Sequence, residues 1–251
     1  PDASPAPALG EARAVADDLA ALDAVGESVK QAALVFSYPA EWMTQIQPQG
    51  AGCSALWAAF HCYSALRRLG INVDVVHPDA PLDGYALVVV PCLPIVSDTL
   101  AANLTAFAGQ VVIGPRTGSR DEDFAIPPHL APGKLTELIG GRITLSESWR
   151  PGVVATGEGW QAGGWFDHYE GTAAPDLTAH DGRVTCWKHG RVRYAACWPE
   201  GSYIDEVIER AARDAGLPAA PLPDHQRVRT SARYRFTFDY ADATVTWEKR
   251  T

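Results

Sequence analysis

The sequence lacks any run of about 20 uninterrupted apolar residues, the length that a membrane-spanning helix needs. Its start also lacks a basic segment followed by an apolar one, so we expect no secretory signal and a cytoplasmic location. Positive charge is scarce, because 21 Lys and Arg residues face 30 Asp and Glu residues, a formal net charge of −9. Nucleic-acid-binding domains usually carry a basic face, so neither a membrane nor a nucleic acid is an expected partner.

Residues at metal-binding or redox spacing are absent as well. The number of cysteines, five, is odd, and no C-x-x-C motif occurs. We therefore expect reduced, buried thiols and neither a disulfide framework nor a structural zinc site. The histidines show no H-E-x-x-H spacing, and the Gly114–Gly118 run lacks the lysine of a phosphate loop. The sequence thus predicts no metal site and no cofactor.

The composition is that of a globular protein. Of 251 residues, 47% are hydrophobic and 20% are charged. That length accommodates one large domain, or a medium domain plus a small one. Residues 1–10 are rich in Pro and Ala and look like a linker, and apolar residues at helical spacing then predict a helix from Glu11 to about Val25. We assign residues 1–27 to this linker and connector helix.

The following stretch alternates between strands and helices. Ala51–Leu69 is the clearest helix, and Gly70 ends it. The β-branched run at Ala86–Val90 is typical of a parallel strand that is covered on both faces. The other predicted elements are strands at Ala32–Ser37, Asn72–His77 and Gln110–Gly114 and a helix from its cap, Asp98, to about Phe107. This rhythm with short links predicts an α/β fold with a parallel, doubly wound sheet.

After the fourth strand the alternation loosens. Helices are predicted at Lys134–Ile139 and Tyr203–Ala215, and strands at Arg142–Leu145, Gly163–Tyr169, Val184–Trp187 and Val192–Cys197. The Pro-rich joint at Leu217–Pro223 marks a boundary. Beyond it, alternating strands at Arg227–Thr230, Tyr234–Asp239 and Thr244–Trp247 predict a small antiparallel β module. The resulting division is 28–218 for the α/β domain and 222–251 for the small β domain.

Several stretches resemble the trimerisation domain of glycoside hydrolase family 42 β-galactosidases. LVFSYPAEWMTQIQPQ (Leu34–Gln49) is similar to its entry strand and tryptophan-containing loop. The segment Tyr63–Leu93 resembles its helix, second strand, D-x-x-L-x-x-Y turn and third strand. VVIGPRTGSRDED (Val111–Asp123) resembles its fourth strand and the loop that follows. The tail RYRFTFDYADATV is similar to the small C-terminal β domain of these enzymes, with Asp239 where an asparagine is common. A weaker likeness at Asp181–Ala195 falls where that domain has a β-hairpin.

The resemblance covers about residues 28–250 and implies both a fold and a role. The fold it implies is a flavodoxin-like, class I glutamine amidotransferase-like parallel sheet followed by a small antiparallel β domain. The implied role is non-catalytic: an oligomerisation and support region of a retaining β-galactosidase that hydrolyses terminal β-D-galactosides. The catalytic glutamates of that family lie in a (β/α)₈ barrel, which would precede this chain. The chain alone is therefore predicted to be inactive.

Three alternatives give the chain chemistry or a ligand of its own. An amidotransferase-like enzyme needs a thiolate on a sharp strand-to-helix turn, and Cys92 lies at a strand end. Prolines near Cys92 and the lack of elbow glycines favour an inert, packed thiol. The Asp121–Asp123 cluster follows another strand end, but adjacent carboxylates repel and usually mark solvated surface. A small-ligand-binding module is the third alternative, with Trp160 and Trp165 available to stack on a sugar.

The partner predicted for this chain is a second copy of itself, in a homotrimer of the full-length protein. Cyclic trimers use heterologous contacts, which favour exposed aromatic side chains and arginine. The candidate interface residues are Tyr38, Trp42 and Met43 in the Tyr38–Gln49 loop, and Trp57, His61 and Arg68 on one face of the following helix. The opposite face of that helix is expected to turn its apolar stripe to the core: Leu56, Phe60, Tyr63, Leu66 and Leu69.

Overall fold

A seven-stranded sheet forms the centre of the chain, and the computed structural model describes residues 6–250. The first part of the predicted linker, residues 1–5, lies outside the described residues. The helices are α1 (Leu9–Ala20), α2 (Tyr38–Ile46), α3 (Ala55–Arg68), α4 (Asp98–Ala106), α5 (Thr136–Ile139) and α6 (Gly201–Asp214). Within the described residues, no helix has the length and apolar character to cross a membrane.

The strands follow the predicted positions closely in the first half and less closely in the second. They are β1 (Ala32–Val35), β2 (Val73–Val76), β3 (Leu87–Val90), β4 (Gln110–Ile113), β5 (Gly141–Ser148), β6 (Ala155–Gly157), β7 (Trp160–Ala162), β8 (Trp165–Gly171), β9 (Ala174–Thr178), β10 (Val184–His189), β11 (Val192–Ala195), β12 (Gln226–Thr230), β13 (Tyr234–Asp239) and β14 (Thr244–Lys249). β6, β7 and β9 were not predicted, because all three are short; β6 also contains Gly157 and β9 contains Pro175, which interrupt the strand pattern.

The sheet is mostly parallel. Its order is β2-β1-β3-β4-β11-β10-β9, and the first five strands run parallel to their neighbours. β10 and β9 are antiparallel and extend the parallel strands at this edge, where the resemblance implied a β-hairpin at Asp181–Ala195. The reason is a two-residue link between β10 and β11 that begins at Gly190, whose φ of 56° lies in the left-handed region. A link this short closes only an antiparallel hairpin.

The central strands consist of aliphatic residues that are buried on both faces of the sheet. Every residue of β1 and of β3 is buried, as the β-branched run at Ala86–Val90 predicts. Each large aliphatic side chain buried in this way stabilises the fold by roughly 1.5–3 kcal/mol relative to an exposed one. α3 and α6 pack against each other and also contact the sheet, which places the hydrophobic core between these layers.

Two local predictions about helices are wrong. The stretch Tyr38–Gln49 was predicted as a loop, but most of it is α2, because Ser37 is extended and Pro39 in the first turn has its φ already set for a helix. The cap of α4 is Ser97 and not Asp98: the Ser97 hydroxyl accepts a hydrogen bond of 3.0 Å from the Leu100 amide. Asp98 instead occupies the first turn, where the negative charge of its carboxylate interacts favourably with the helix dipole.

The C-terminal sheet, β12-β13-β14, is antiparallel as predicted and lies against the α/β unit. Buried Asn72 makes the connection, because its side-chain amide accepts from the Thr230 amide at 3.0 Å and donates to the Thr230 and Val29 carbonyls. The Leu222 amide also donates to the Arg68 carbonyl at 2.8 Å. These bonds fix the small sheet beside the end of α3.

Candidate assembly surface

The helix α2 divides its side chains between solvent and core. Tyr38, Trp42 and Ile46 recur every four residues and are exposed, with 54% of Trp42 accessible. Met43 is 0% exposed, so its assignment to an interface is corrected: it fills the core. Adjacent residues on a helix point about 100° apart, which is why Trp42 and Met43 lie in different environments.

The helix α3 presents a second and larger apolar surface, which combines the predicted interface residue Trp57 with residues that were expected to be buried. Trp57 is 57% exposed and Phe60 51%, and their rings meet edge-on with centroids 5.6 Å apart. Leu56 and Tyr63 are also exposed, whereas Leu66 and Leu69 are buried as predicted. We call this set the α2–α3 aromatic surface: Tyr38, Trp42, Ile46, Leu56, Trp57, Phe60, His61 and Tyr63.

Small residues explain why the expected apolar stripe of α3 faces outward. The buried face of α3 is made of alanines and a cysteine, together with Leu66: Ala55, Ala58, Ala59, Cys62, Ala65 and Leu66. Such residues let a helix approach its neighbours closely, and α3 packs against both the sheet and α6. The larger apolar side chains are therefore left on the outside. Leu56, Trp57, Phe60 and Tyr63 are thus exposed large apolar side chains on one helix.

Glu41 fixes the two helices relative to each other. Its carboxylate accepts hydrogen bonds from the Leu56 amide at 2.8 Å and from the Ser54 hydroxyl at 3.0 Å. The Thr44 hydroxyl accepts from the Ala55 amide at 3.2 Å. A carboxylate at the N-terminus of a helix satisfies unpaired amides and favours the helix dipole. Sequence analysis missed Glu41, because its partners lie on the next helix and not within its own turn.

Arg116 forms hydrogen bonds with the residues that follow α2. Its guanidinium donates to the carbonyl oxygens of Gln47 and Pro48, each at 2.9 Å, and to the Gln49 side chain at 3.1 Å. The same guanidinium lies over the Trp165 ring, 5.2 Å from its centre. Arg116 is itself buried, so a positive charge in the interior is stabilised by carbonyl dipoles and an aromatic face.

A buried carboxylate, Asp167, completes this support. It accepts hydrogen bonds from the Ser146 hydroxyl, the Trp165 indole at 2.8 Å and the Tyr194 hydroxyl at 2.6 Å. Burial raises the pKa of Asp167, and these hydrogen bonds oppose that rise. Since its donors come from β5, β8 and β11, Asp167 ties the β5–β8 pair to the main sheet.

Arg68 and His61 occupy the edges of the surface. The Arg68 guanidinium forms an ion pair with Asp205 of α6, so it links two helices of the same chain. His61 is half-buried beside Trp57, with ring centroids 6.4 Å apart. Of the predicted interface residues, α2 and α3 therefore bring Tyr38, Trp42, Trp57 and His61 to the outside.

The residues considered for catalysis lie in different environments. Cys92 is buried at the end of β3, and burial raises the pKa of its thiol to about 12. Beside it, a Cβ at Gly114 would lie 1.8 Å from the Pro91 carbonyl oxygen, so only glycine fits where the ends of β3 and β4 meet. The Asp121–Asp123 loop is exposed, as its repelling charges predict. Within residues 6–250, no cluster of three metal-ligating side chains occurs.

The two tryptophans considered for sugar stacking belong to the core. Trp160 packs on Tyr203 with ring centroids 5.8 Å apart, and Trp165 bonds to Asp167. Both tryptophans are buried, so neither offers a face to a ligand. The five cysteines are likewise buried and unpaired, as predicted.

Comparison with known proteins gives consistent matches along this chain. A family model described as the β-galactosidase trimerisation domain matches residues 30–218. A β-galactosidase of Thermus thermophilus is 39% identical over 249 residues, which are 98% of this chain and 39% of that protein. BgaA, a β-galactosidase of a Thermus species, matches to the same extent.

Solved structures give the same picture. The β-galactosidase of the psychrophilic Marinomonas ef1 superimposes with a TM-score of 0.86 at 28% identity, over 96% of this chain and 39% of that one. The β-galactosidase of Halorubrum lacusprofundi gives 0.83 at 30% identity, over 95% and 38%. This chain therefore spans about two fifths of the length of the proteins it matches.

Proposed function

The chain belongs to the β-galactosidase trimerisation domain family, and we propose that it is the assembly and support region of a longer, family 42 β-galactosidase. That parent protein would be a homotrimer that hydrolyses terminal β-D-galactosides with retention. Its catalytic barrel would lie N-terminal to this chain. The observation that carries the proposal is the α2–α3 aromatic surface, which exposes large apolar side chains on rigidly positioned helices.

The geometry of this surface suits a subunit contact. Aromatic side chains such as Trp57 and Trp42 are typical anchors at the centres of interfaces. A cyclic trimer needs two different patches on each subunit, and the aromatic surface supplies one of them. The hydrogen bonds of Glu41 and Arg116 keep α2 and α3 ordered in the free chain. Less conformational entropy is therefore lost when subunits associate.

The connector helix supports a partner at the N-terminal side. α1 has no buried residue, and its apolar side chains Leu9, Val15 and Leu19 are exposed. An amphipathic helix of 12 residues is only marginally stable unless something packs on its apolar face. A barrel domain joined to residue 1 would provide that packing, which agrees with assigning 1–27 to the connector.

The finer details of the fold and location form part of the same proposal. The five parallel strands follow the order 2-1-3-4-5 when β11 is counted as the fifth, which is the flavodoxin order and supports a flavodoxin-like, amidotransferase-related sheet. The α/β domain would cover 28–218 and the small β domain 222–251. Five unpaired thiols support a cytoplasmic location, since reducing compartments maintain free cysteine.

Sedimentation of the parent protein tests the assembly role. Trp57→Ala combined with Phe60→Ala removes two exposed anchors, and we expect the trimer to dissociate at concentrations at least about tenfold higher than before. Ile126→Ala is the matched control, because Ile126 is exposed on the loop after β4. A wild-type parent that sediments as a monomer, or a trimer unchanged by the double substitution, would contradict the proposal.

Turnover by the isolated chain tests the non-catalytic role. A retaining glycosidase needs two carboxylates about 5 Å apart, one of them with a raised pKa. The exposed Asp121–Asp123 loop offers no such enclosed pair. We expect no hydrolysis of an aryl β-galactoside by this chain alone. Turnover that disappears with Glu122→Gln would instead place an active site in this loop.

A further inference from the structure

A positively charged cavity lies where the end of α3 meets the C-terminal sheet. Its volume is about 350 Å³. Three arginines and three aromatic residues line it: Tyr63, Arg67, Arg227, Arg229, Phe238 and Tyr240. This concentration of positive charge contrasts with the net charge of −9 of the whole chain.

Strand register places the arginines on one face. Arg227 pairs with Phe238 across β12 and β13, and Arg229 follows two residues later on the same side of β12. Val228, between them, points the other way and is buried. The small sheet is thus anchored through Val228, while both arginine side chains remain at the cavity.

Arg67 is held in place by backbone carbonyls. Its guanidinium donates to the Ile71 carbonyl at 2.7 Å and to the Val228 carbonyl at 2.6 Å. Burial lowers the pKa of Arg67, and the neighbouring charges of Arg229 and Arg227 lower it further. Because the three arginines line the same cavity, their positive charges repel one another, and an anion between them would relieve that repulsion.

No carboxylate neutralises this cluster within residues 6–250. None of the ion pairs formed there includes Arg67, Arg227 or Arg229. Asp239, which lies between Phe238 and Tyr240 in the sequence, accepts hydrogen bonds from Gln226 and from the amides of the following turn. Its negative charge is therefore engaged away from the arginines.

We propose that this cavity is an oxyanion-binding site that accepts a carboxylate or a phosphate group. Arg227 and Arg229 would donate to its oxygen atoms, since a guanidinium matches the planar geometry of such groups. Tyr63 and Tyr240 also line the cavity, and their hydroxyls are neutral hydrogen-bond donors. Two sources offer this chemistry: a free small anion, or an acidic side chain of a neighbouring subunit, because Tyr63 also belongs to the α2–α3 aromatic surface.

Titration of the isolated chain with inorganic phosphate tests the site. We expect saturable shifts of arginine Nε–Hε signals in NMR spectra, with an affinity that falls about tenfold for Arg227→Gln or Arg229→Gln. Arg229 is exposed, and Arg227 is half-buried with its guanidinium donating to the carbonyls of its sequence neighbours Asp224 and Gln226, so these variants should fold normally. Arg13→Gln on α1, a matched exposed arginine, should leave the affinity unchanged. Shifts that never saturate, or an affinity unaffected by Arg227→Gln with Arg229→Gln, would overturn the proposal.

The parent protein separates the two sources. If a neighbouring subunit supplies the carboxylate, phosphate will not bind the assembled parent, and Arg227→Gln with Arg229→Gln will weaken the assembly. If the ligand is a free anion, phosphate will bind the parent as tightly as the isolated chain, and the assembly will not change. Since the isolated-chain titration does not depend on assembly, its result stands whether or not the parent is a trimer.

Discussion

The hydroxyl of Tyr194 donates a hydrogen bond of 2.6 Å to the carboxylate of Asp167, and both side chains are buried. Tyr194 lies on β11 of the main sheet, whereas Asp167 lies on β8. The bond therefore joins the central sheet to the β5–β8 pair. Next to it, the Arg116 amide also approaches the Asp167 carboxylate, at 3.4 Å, which places the support of α2 in the same network.

Removing this hydroxyl should weaken the fold. Tyr194→Phe leaves the buried carboxylate with one donor fewer, and we expect a loss of about 1.5–3 kcal/mol in the free energy of unfolding, as for other hydrogen bonds to charged groups. The midpoint of urea denaturation measures it. Tyr38→Phe, at an exposed position, is the control and should leave the midpoint in place. Equal midpoints for both variants would show that the Asp167 network adds no stability.

The sequence revealed the central strands because their pattern has a single physical explanation. A near-continuous β-branched run such as Ala86–Val90 is typical of a strand whose two faces are both covered, and β3 is buried throughout. The end of α3 could also be predicted from the sequence, because a glycine often ends a helix. Gly70 adopts a φ of 75°, which other residues avoid.

The orientation of α3 was not predictable in the same way. Large apolar residues at helical spacing are normally buried, so Leu56 and Phe60 were assigned to the core. Here the alanine and cysteine face packs inward and the face with the larger side chains stays exposed. A sequence pattern shows that a helix has two faces, but it does not show which one the same chain covers. Glu41 and Arg116 were missed because their partners are distant in sequence.

The reactivity of Cys92 is a second measurable consequence of burial. With its pKa raised to about 12, the thiol stays protonated at neutral pH and is also shielded from solvent. We expect iodoacetamide to leave Cys92 unmodified in the folded chain and to alkylate it after unfolding in urea, as read by peptide mass spectrometry. Rapid and selective labelling of Cys92 in the folded chain would restore the amidotransferase alternative.

Asp214 should make stability depend on acid. Hydrogen bonds from Lys188 at 2.7 Å and Arg193 at 2.6 Å lower its pKa from 3.8 to about 2. Because the folded state favours the charged carboxylate, its contribution is complete above the unfolded pKa of 3.8 and is lost as the pH falls through about 2.

The substitution Asp214→Asn measures that contribution. At pH 7 we expect a loss on the order of 1 kcal/mol in the free energy of unfolding, since the carboxylate is partly screened by solvent. The difference from the wild type should disappear as the pH approaches about 2. Asp242→Asn, at an exposed position outside the ion pairs of residues 6–250, should show no such dependence. A constant difference at all pH values would mean that the effect is not electrostatic.

Trp42 and Met43 are adjacent in sequence but should behave oppositely when truncated. Met43 is 0% exposed, and its sulfur lies 3.7 Å from the Arg116 guanidinium, so Met43→Ala leaves a cavity in the core. We expect it to lower the free energy of unfolding by about 2–5 kcal/mol. Trp42→Ala removes an exposed side chain and should change stability by less than about 0.5 kcal/mol.

In the parent protein, substitution of Trp42 should affect trimer assembly, whereas a conservative substitution of Met43 should not. Trp42→Ala removes an anchor of the α2–α3 aromatic surface, so we expect a weaker trimer of the parent in sedimentation. The urea midpoint of the isolated chain should not change. Met43→Leu, a swap that nearly conserves volume, should preserve both stability and assembly, because Met43 does not reach the surface. If Trp42→Ala instead lowered the urea midpoint of the isolated chain as much as Met43→Ala, Trp42 would be a structural residue. The exposed face of α2 would then not be part of the interface, and Trp57 and Phe60 of α3 would be the remaining anchors of the subunit contact.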